Sequence, residues 1–202
     1  MDRNTCFETI KIKDGRIHDI KWHNQRCNRT RRELFGEKKA LELQYFITPP
    51  DKGLYRCRIT YHKQVTKIEY IPYTIRTLES FKIVQSHLDY AYKYSNRTEL
   101  EHLKNQHPDV DEIIIEKNGV ITDTSIANLA FYDGQQWITP STPLLEGTVR
   151  AKLLSEQFLI PKVIKSDELK HFSYVALMNA MIGFRIQKNS TIYDLTERVI
   201  CL

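Results

Sequence analysis

An α+β fold, in one domain or two small ones, is what this sequence predicts, and three observations bear on it. Strand-like and helix-like stretches come in mixed order, not as a regular strand–helix repeat. Turn signals, Asp14-Gly15, Asn118-Gly119 and Asp133-Gly134, separate short β-prone runs. The pattern then loosens near Pro72, so that residues 74–85 read as a linker between a small N-terminal domain (1–80) and a larger one (81–202).

The elements follow in order. Phe7 to Ile12 alternates apolar and polar residues and reads as a strand. Asp14-Gly15 turns it into a second strand, Arg16 to Ile20. His23 to Leu34 reads as a helix with Gly36 as its C-cap. Glu37 to Gly53 has no dominant period and includes a loop from Thr48. Tyr55–Tyr61 and Val65–Tyr70, rich in Tyr, Ile, Thr and Val, form a hairpin. Phe81–Val84 has the composition of a strand that pairs in a sheet. Asn96 or Thr98 caps a short helix reaching about Asn105. Strands follow at Glu112–Lys117, Val120–Thr122, Asn128–Tyr132 and Gln136–Thr139. A helix after Gly147 runs to about Gln157. Lys162–Ile164 reads as a strand, Ser166–Lys170 as a helical turn and Tyr174–Met178 as a buried strand.

Composition narrows the function. A chain of 202 residues, 41% apolar and 27% charged, can bury a real core and is not a disordered type. No apolar run is long enough to cross a bilayer, and the N-terminus lacks a signal-peptide core, so the chain reads as cytoplasmic. Cys6, Cys27, Cys57 and Cys201 are scattered, with no C-x-x-C pair or zinc spacing; they read as reduced thiols, and no metal site is expected. Net charge is +5, and much of the excess sits in Arg26, Arg29, Arg31 and Arg32. A basic helix is one mark of nucleic-acid binding. Here it stands alone with no accompanying motif, so a solvated face or sites for small anions are the better readings.

The segment from Asp111 to Leu154 says most about chemistry. An apolar strand, a turn and a second strand lead to Asp123, five residues before Asn128; then come Thr139-Pro140 and Leu145-Glu146-Gly147-Thr148-Val149-Arg150, opening a helix. Upstream lie Phe7-Glu8-Thr9, Asp14-Gly15, His23-x-x-Arg26 and Lys93-x-x-Asn96-Arg97; downstream lies Met178-Asn179-Ala180-Met181. These pieces, in this order, resemble the class IV pyridoxal-phosphate aminotransferase family (fold type IV), which includes aminodeoxychorismate lyase. The lyase branch is the one resembled most, through K-x-x-N-R and the Asn179 element.

The resemblance implies pyridoxal 5′-phosphate as cofactor, two α+β domains with the cofactor in the cleft between them, and a homodimer acting on a small amino-acid-like substrate. It implies that Lys93 forms the imine and moves the proton, with Arg97 as a nearby cation that disfavours its ammonium. It places Asp123 at the ring nitrogen, where relatives carry the longer Glu. It gives the phosphate to Arg26 and to the amides of Thr148 and Val149, where Gly147 lets the backbone come close and the helix start leaves its first amides unbonded. Leu145 would pack on the pyridine ring. Ala180 stands where many relatives have Ser or Thr against the phosphate, and losing that hydroxyl costs about 1 kcal/mol. Arg56 and Arg58 are candidates for a substrate carboxylate, Arg58 first. Arg150 reads as a helix-surface residue.

The chain departs from the family most at its start. Relatives usually carry two strands and a Gly-Asp-Gly loop before F-E-T, whereas Phe7 follows Met1 by six residues, so a shortened N-terminal domain is expected. With Asp123 and Ala180, this also admits a non-catalytic member serving as a binding or interaction protein.

Overall fold

The computed structural model describes residues 5–200, so the expectation for Cys201 lies outside the described residues. The chain forms two compact units, one from the chain up to Ile75 together with Tyr92–Asn96, the other from Arg76–Ala91 together with the chain from Arg97 on.

The first unit holds β1 (Cys6–Lys13), β2 (Arg16–Ile17), α1 (Ile20–Phe35), a 3-10 turn at Leu43–Phe46, β3 (Leu54–Tyr61) and β4 (Val65–Pro72). Its sheet runs β2-β1-β3-β4, all antiparallel. Asp14 and Gly15 both take positive φ (48° and 76°), the conformation a two-residue hairpin needs to match strand twist. The second strand stops at Ile17, short of the expected Ile20, because Asp19 turns the chain with φ 52° and α1 starts at once. Gly36, at φ 67°, caps α1 by bonding its amide to Arg31 O.

Alternation sends Cys6, Glu8, Ile10 and Ile12 of β1 to one fully buried face. The buried stripe of α1 is mostly polar: His23, Asn24, Arg26, Cys27, Thr30 and Arg31. Internal bonds make that tolerable. Asn24 binds Glu42, Gln44 and the amide of Leu43, and Asn28 exchanges two bonds with the backbone of Leu41. Arg31, 1% exposed, donates to Lys63 O, Lys39 O and Asn28 Oδ1. The stretch Glu37–Gly53 is thus moored to α1 by side-chain amides. The basic helix turns two of its four arginines, Arg26 and Arg31, inward, and Arg32 is exposed.

The second unit holds β5 (Ser80–Gln85), α2 (Thr98–Asn105), β6 (Glu112–Lys117), β7 (Val120–Thr124), β8 (Asn128–Tyr132), β9 (Trp137–Pro140), α3 (Thr148–Ser155) and β10 (Leu159–Lys162). A 3-10 turn at Ser166–His171, β11 (Tyr174–Asn179), β12 (Gly183–Gln187), β13 (Thr191–Tyr193) and β14 (Val199–Ile200) complete it. The sheet runs β10-β9-β8-β7-β6-β5-β13-β14, with β11 on β8 and β12 on β11. β5 lies parallel to both β6 and β13, and Phe81 and Ile83 are buried in the core. α2 begins at Thr98, with Arg97 in the N-cap position and no cap bond from the Arg97 side chain. The strand expected at Lys162–Ile164 forms earlier, as β10, because it takes its register from β9 in parallel. β12 to β14 carry no sequence alternation strong enough to have announced them.

Candidate functional site

In the second unit the site is built on the turn between β7 and β8. Thr124 Oγ1 accepts the amides of Ile126 and Ala127, and Thr124 N donates to Ala127 O. That tight turn pairs Asp123 directly with Asn128, so their side chains share one face. Asn128 Nδ2 donates to Asp123 Oδ1 at 2.7 Å and to Leu145 O at 2.8 Å, while Leu145 N donates to Asp123 Oδ2 at 2.9 Å. Asp123 is 4% exposed. Burial pushes its carboxyl up to about 6, against the pull of the Asn128 and Leu145 bonds and of Arg150. The shorter acid therefore sits on fixed donors that tie it to the segment entering α3.

Gly147 caps α3 in an extended conformation, φ −72°, ψ 148°, which any residue could adopt. Crowding demands glycine instead: a Cβ there would lie 1.9 Å from Asn128 Oδ1. Asn128 cannot swing away without breaking its bonds to Asp123 and Leu145. Gly147→Ala is accordingly expected to cost about 1–3 kcal/mol as Asp123 loses its mooring, which a thermal melt checks. Thr148 and Val149 occupy the first turn of α3, where amides have no partner within the helix, and both are buried. Leu145 lies between the Asp123 and Asn128 bonds just ahead.

Arg150 corrects the surface reading. It is 7% exposed and donates from Nη2 to Pro140 O at 2.8 Å, and its charge acts on Asp123. Its position in the first turn of α3 turns it toward the sheet, which the helical period alone did not show. Ala180 lies in the turn linking β11 and β12. Asn179 Oδ1 accepts the amides of Met181 and Ile182, and its Nδ2 reaches Ile126 O beside the Asp123 turn. Arg97 donates to Ser125 O at 2.9 Å and lies 3.6 Å from Glu101, so its charge is engaged within the second unit.

In the first unit, the short segment with Lys93 adds to β1. Phe7 N donates to Lys93 O at 2.9 Å, Ser95 N donates to Thr5 O at 2.9 Å, and Tyr94 bridges Cys6. Because β3 covers one edge of β1 throughout, this segment takes the other, beyond the reach of β2. Lys93 Nζ lies 4.7 Å from the Phe7 ring centre, and Arg58 Cζ 3.9 Å from it. The catalytic candidate and the substrate-carboxylate candidate thus share one aromatic ring. Arg56 projects from the same face of β3 as Arg58.

Arg26 meets a carboxylate in this fold. Its Nε donates to Glu8 Oε1 at 2.9 Å and its Nη2 to Glu8 Oε2 at 2.6 Å. His23 Nδ1 lies 2.6 Å from the same Oε2. Burial alone would raise the Glu8 carboxyl; the Arg26 guanidinium and the His23 bond overcome it and bring it down to about 2. Burial lowers His23, against the Glu8 bond, so it is neutral with its proton on Nδ1. Glu8, His23 and Asn128 were present in the motifs without assigned roles. The signal for Glu8 was an acid on the apolar side of an alternating strand.

Taken unit by unit, the residues are of the kinds pyridoxal phosphate needs: in the second, a buried acid suited to a ring nitrogen and helix-start amides suited to a phosphate; in the first, an arginine and an amine on a fixed backbone. The family model for amino-transferase class IV matches residues 41–188. An uncharacterized protein of Haemophilus influenzae is 38% identical over 183 residues, covering 88% of this chain and 97% of its own length. A proposed aminodeoxychorismate lyase of Schizosaccharomyces pombe is 24% identical over 206 residues, covering 89% of this chain and 87% of its own. The crystal structure of a proposed 4-amino-4-deoxychorismate lyase from Haemophilus somnus superposes with a TM-score of 0.82 at 38% identity, over 91% of this chain and 99% of that one.

Proposed function

Because this chain belongs to the class IV aminotransferase family, a pyridoxal-phosphate-dependent family of fold type IV, we propose that it is a pyridoxal-phosphate enzyme with aminodeoxychorismate lyase activity. The observation that carries the cofactor reading is the buried Asp123 carboxylate, held by Asn128 and Leu145 at the entry to α3. The lyase assignment is supported by the likeness to the Haemophilus somnus protein.

Bound pyridoxal phosphate supplies an electron sink for the bond-breaking step. Asp123 is the group that would keep the ring nitrogen protonated, by a charge-assisted hydrogen bond. Arg26 and the amides of Thr148 and Val149 would hold the phosphate, Leu145 the ring and Arg58 a substrate carboxylate. Lys93 Nζ would take the proton from the substrate's amine-bearing carbon. That proton leaves with the departing enolpyruvate, released as pyruvate, and the ring becomes the aromatic p-aminobenzoate. Amino-acid transamination uses the same residues and differs in needing a keto acid to take the amine.

The test starts with absorbance of the protein mixed with pyridoxal phosphate, borohydride reduction and peptide mapping. Next, 4-amino-4-deoxychorismate is supplied with and without 2-oxoglutarate. A pyridoxyl adduct on Lys93 and p-aminobenzoate formed without keto acid are the expected results. An adduct with turnover only when keto acid is present would replace the lyase by a transaminase. No adduct, or one spread over surface lysines, would sink the enzyme reading and leave a binding protein.

A further inference from the structure

Glu8 is an acid where the pattern of β1 calls for an apolar residue, between Cys6 and Ile10 on a fully buried face. Replacing a buried ion pair by apolar side chains is often neutral or stabilising, so stability alone is a weak reason for it. The geometry gives a better one. Glu8 sits in mid-strand, with its backbone paired to Ile59, whereas Arg26 hangs on a long side chain from α1. Oε1 and Oε2 meet Nε and Nη2 as a fork, which sets the plane of the guanidinium as well as its distance. His23 serves the same arrangement one step back. Its Nδ1 holds Oε2, while its buried Nε2 has no hydrogen-bond partner, so Glu8 is what its ring orients. Phe7, the neighbour of Glu8 in β1, bonds its amide to Lys93 O, which ties this network to the Lys93 segment.

We infer that Glu8 and His23 are positioning residues that aim the Arg26 guanidinium, and thereby determine how strongly the protein prefers a phosphorylated aldehyde to its unphosphorylated form. This rests on the pyridoxal-phosphate reading above. Glu8 also neutralises Arg26 whenever no other anion is present, so the buried cation does not need the cofactor for the unit to fold.

The experiment is a pair of titrations, pyridoxal phosphate and pyridoxal, followed by absorbance and accompanied by thermal melts. Wild-type protein is expected to prefer the phosphorylated form. Glu8→Gln keeps the shape but gives Arg26 one good acceptor instead of two; it is expected to lose about 10–100-fold in affinity for pyridoxal phosphate, as loss of an orienting partner typically does, with pyridoxal affinity unchanged. His23→Leu should shift the preference the same way by less, and His23→Asn, whose amide can donate where Nδ1 does, should restore it. If Glu8→Gln fails to fold, the two His23 variants decide. Equal losses for both aldehydes would show a merely structural role and overturn the inference, as would an unchanged preference in the folded variants. Wild-type protein that takes up neither aldehyde overturns the cofactor reading itself, a result distinct from either.

Discussion

Lys93→Ala is expected to abolish the borohydride-fixed adduct and to lower turnover by at least ~10³-fold, within the range that a positioned acid–base group supplies. The expectation comes from how Lys93 is held. Its backbone is locked to β1 through Phe7 N, and its amine lies over the Phe7 ring. Alanine keeps every backbone bond, so the first unit should melt as wild type does, and the loss would be chemical. Lys93→Arg tests charge separately: a guanidinium can still lie over Phe7 but cannot act as a base near neutral pH. It should be as inactive as the alanine variant. Peptide mapping after reduction, together with single-turnover rates, checks both. A single-site adduct persisting in Lys93→Ala would move the catalytic amine elsewhere.

Asp123→Asn carries the second large effect, on rate and on pH dependence together. The amide cannot hold a proton on a ring nitrogen, and the rate is expected to fall on the order of 10²–10³-fold, as when one preorganised electrostatic partner is removed. Asp123→Glu, the residue relatives carry, should keep much of the rate if Asn128 and Leu145 tolerate the extra methylene. Stability gives an independent reading. The folded carboxyl titrates near 6 against 3.8 for the ordinary group. Its contribution is therefore fully present below the unfolded value and is lost as pH rises through about 6. The distance between those two values corresponds to about 3 kcal/mol lost over that window. Glu8 acts in the opposite sense, since its folded value lies near 2 against 4.5, so its stabilisation is present above 4.5 and is lost as pH falls toward 2. Denaturant titrations of wild type and Asp123→Asn between about pH 4 and pH 7 should diverge, with the slope absent in the variant. A wild-type slope retained in Asp123→Asn would show that another group titrates there.

Much of the frame was legible because it depends on local chemistry. Asp14-Gly15 and Asn118-Gly119 need positive φ, and both pairs take it. Gly36 ends α1 for the same reason. The Ile113–Ile115 run is a strand buried on both faces, as an uninterrupted apolar run should be. Family motifs, being short and contiguous, could be read at once, and the matching family model bears out that resemblance. Three things lay beyond local reading. Arg26 and Arg31 look like surface cations until Glu8 and the carbonyls of Lys39 and Lys63 are brought to them. Arg150 looks like a helix-surface residue until β9 ends beside it. Gly147 reads as a glycine that lets a phosphate approach the backbone, and only the fold shows that Asn128 also fills the space its side chain would need.

By itself, then, the sequence determined the α+β class, most strands, the turns and the family, because turn conformation, alternation and contiguous motifs are encoded within a few residues. Only the tertiary structure decided which charged side chains are buried and what each one faces. A polar residue is tolerated inside only when a partner arrives, and the partners that decide Arg26 and Arg31 lie 18 and 32 residues away, at Glu8 and Lys63. No local pattern records a meeting over that distance.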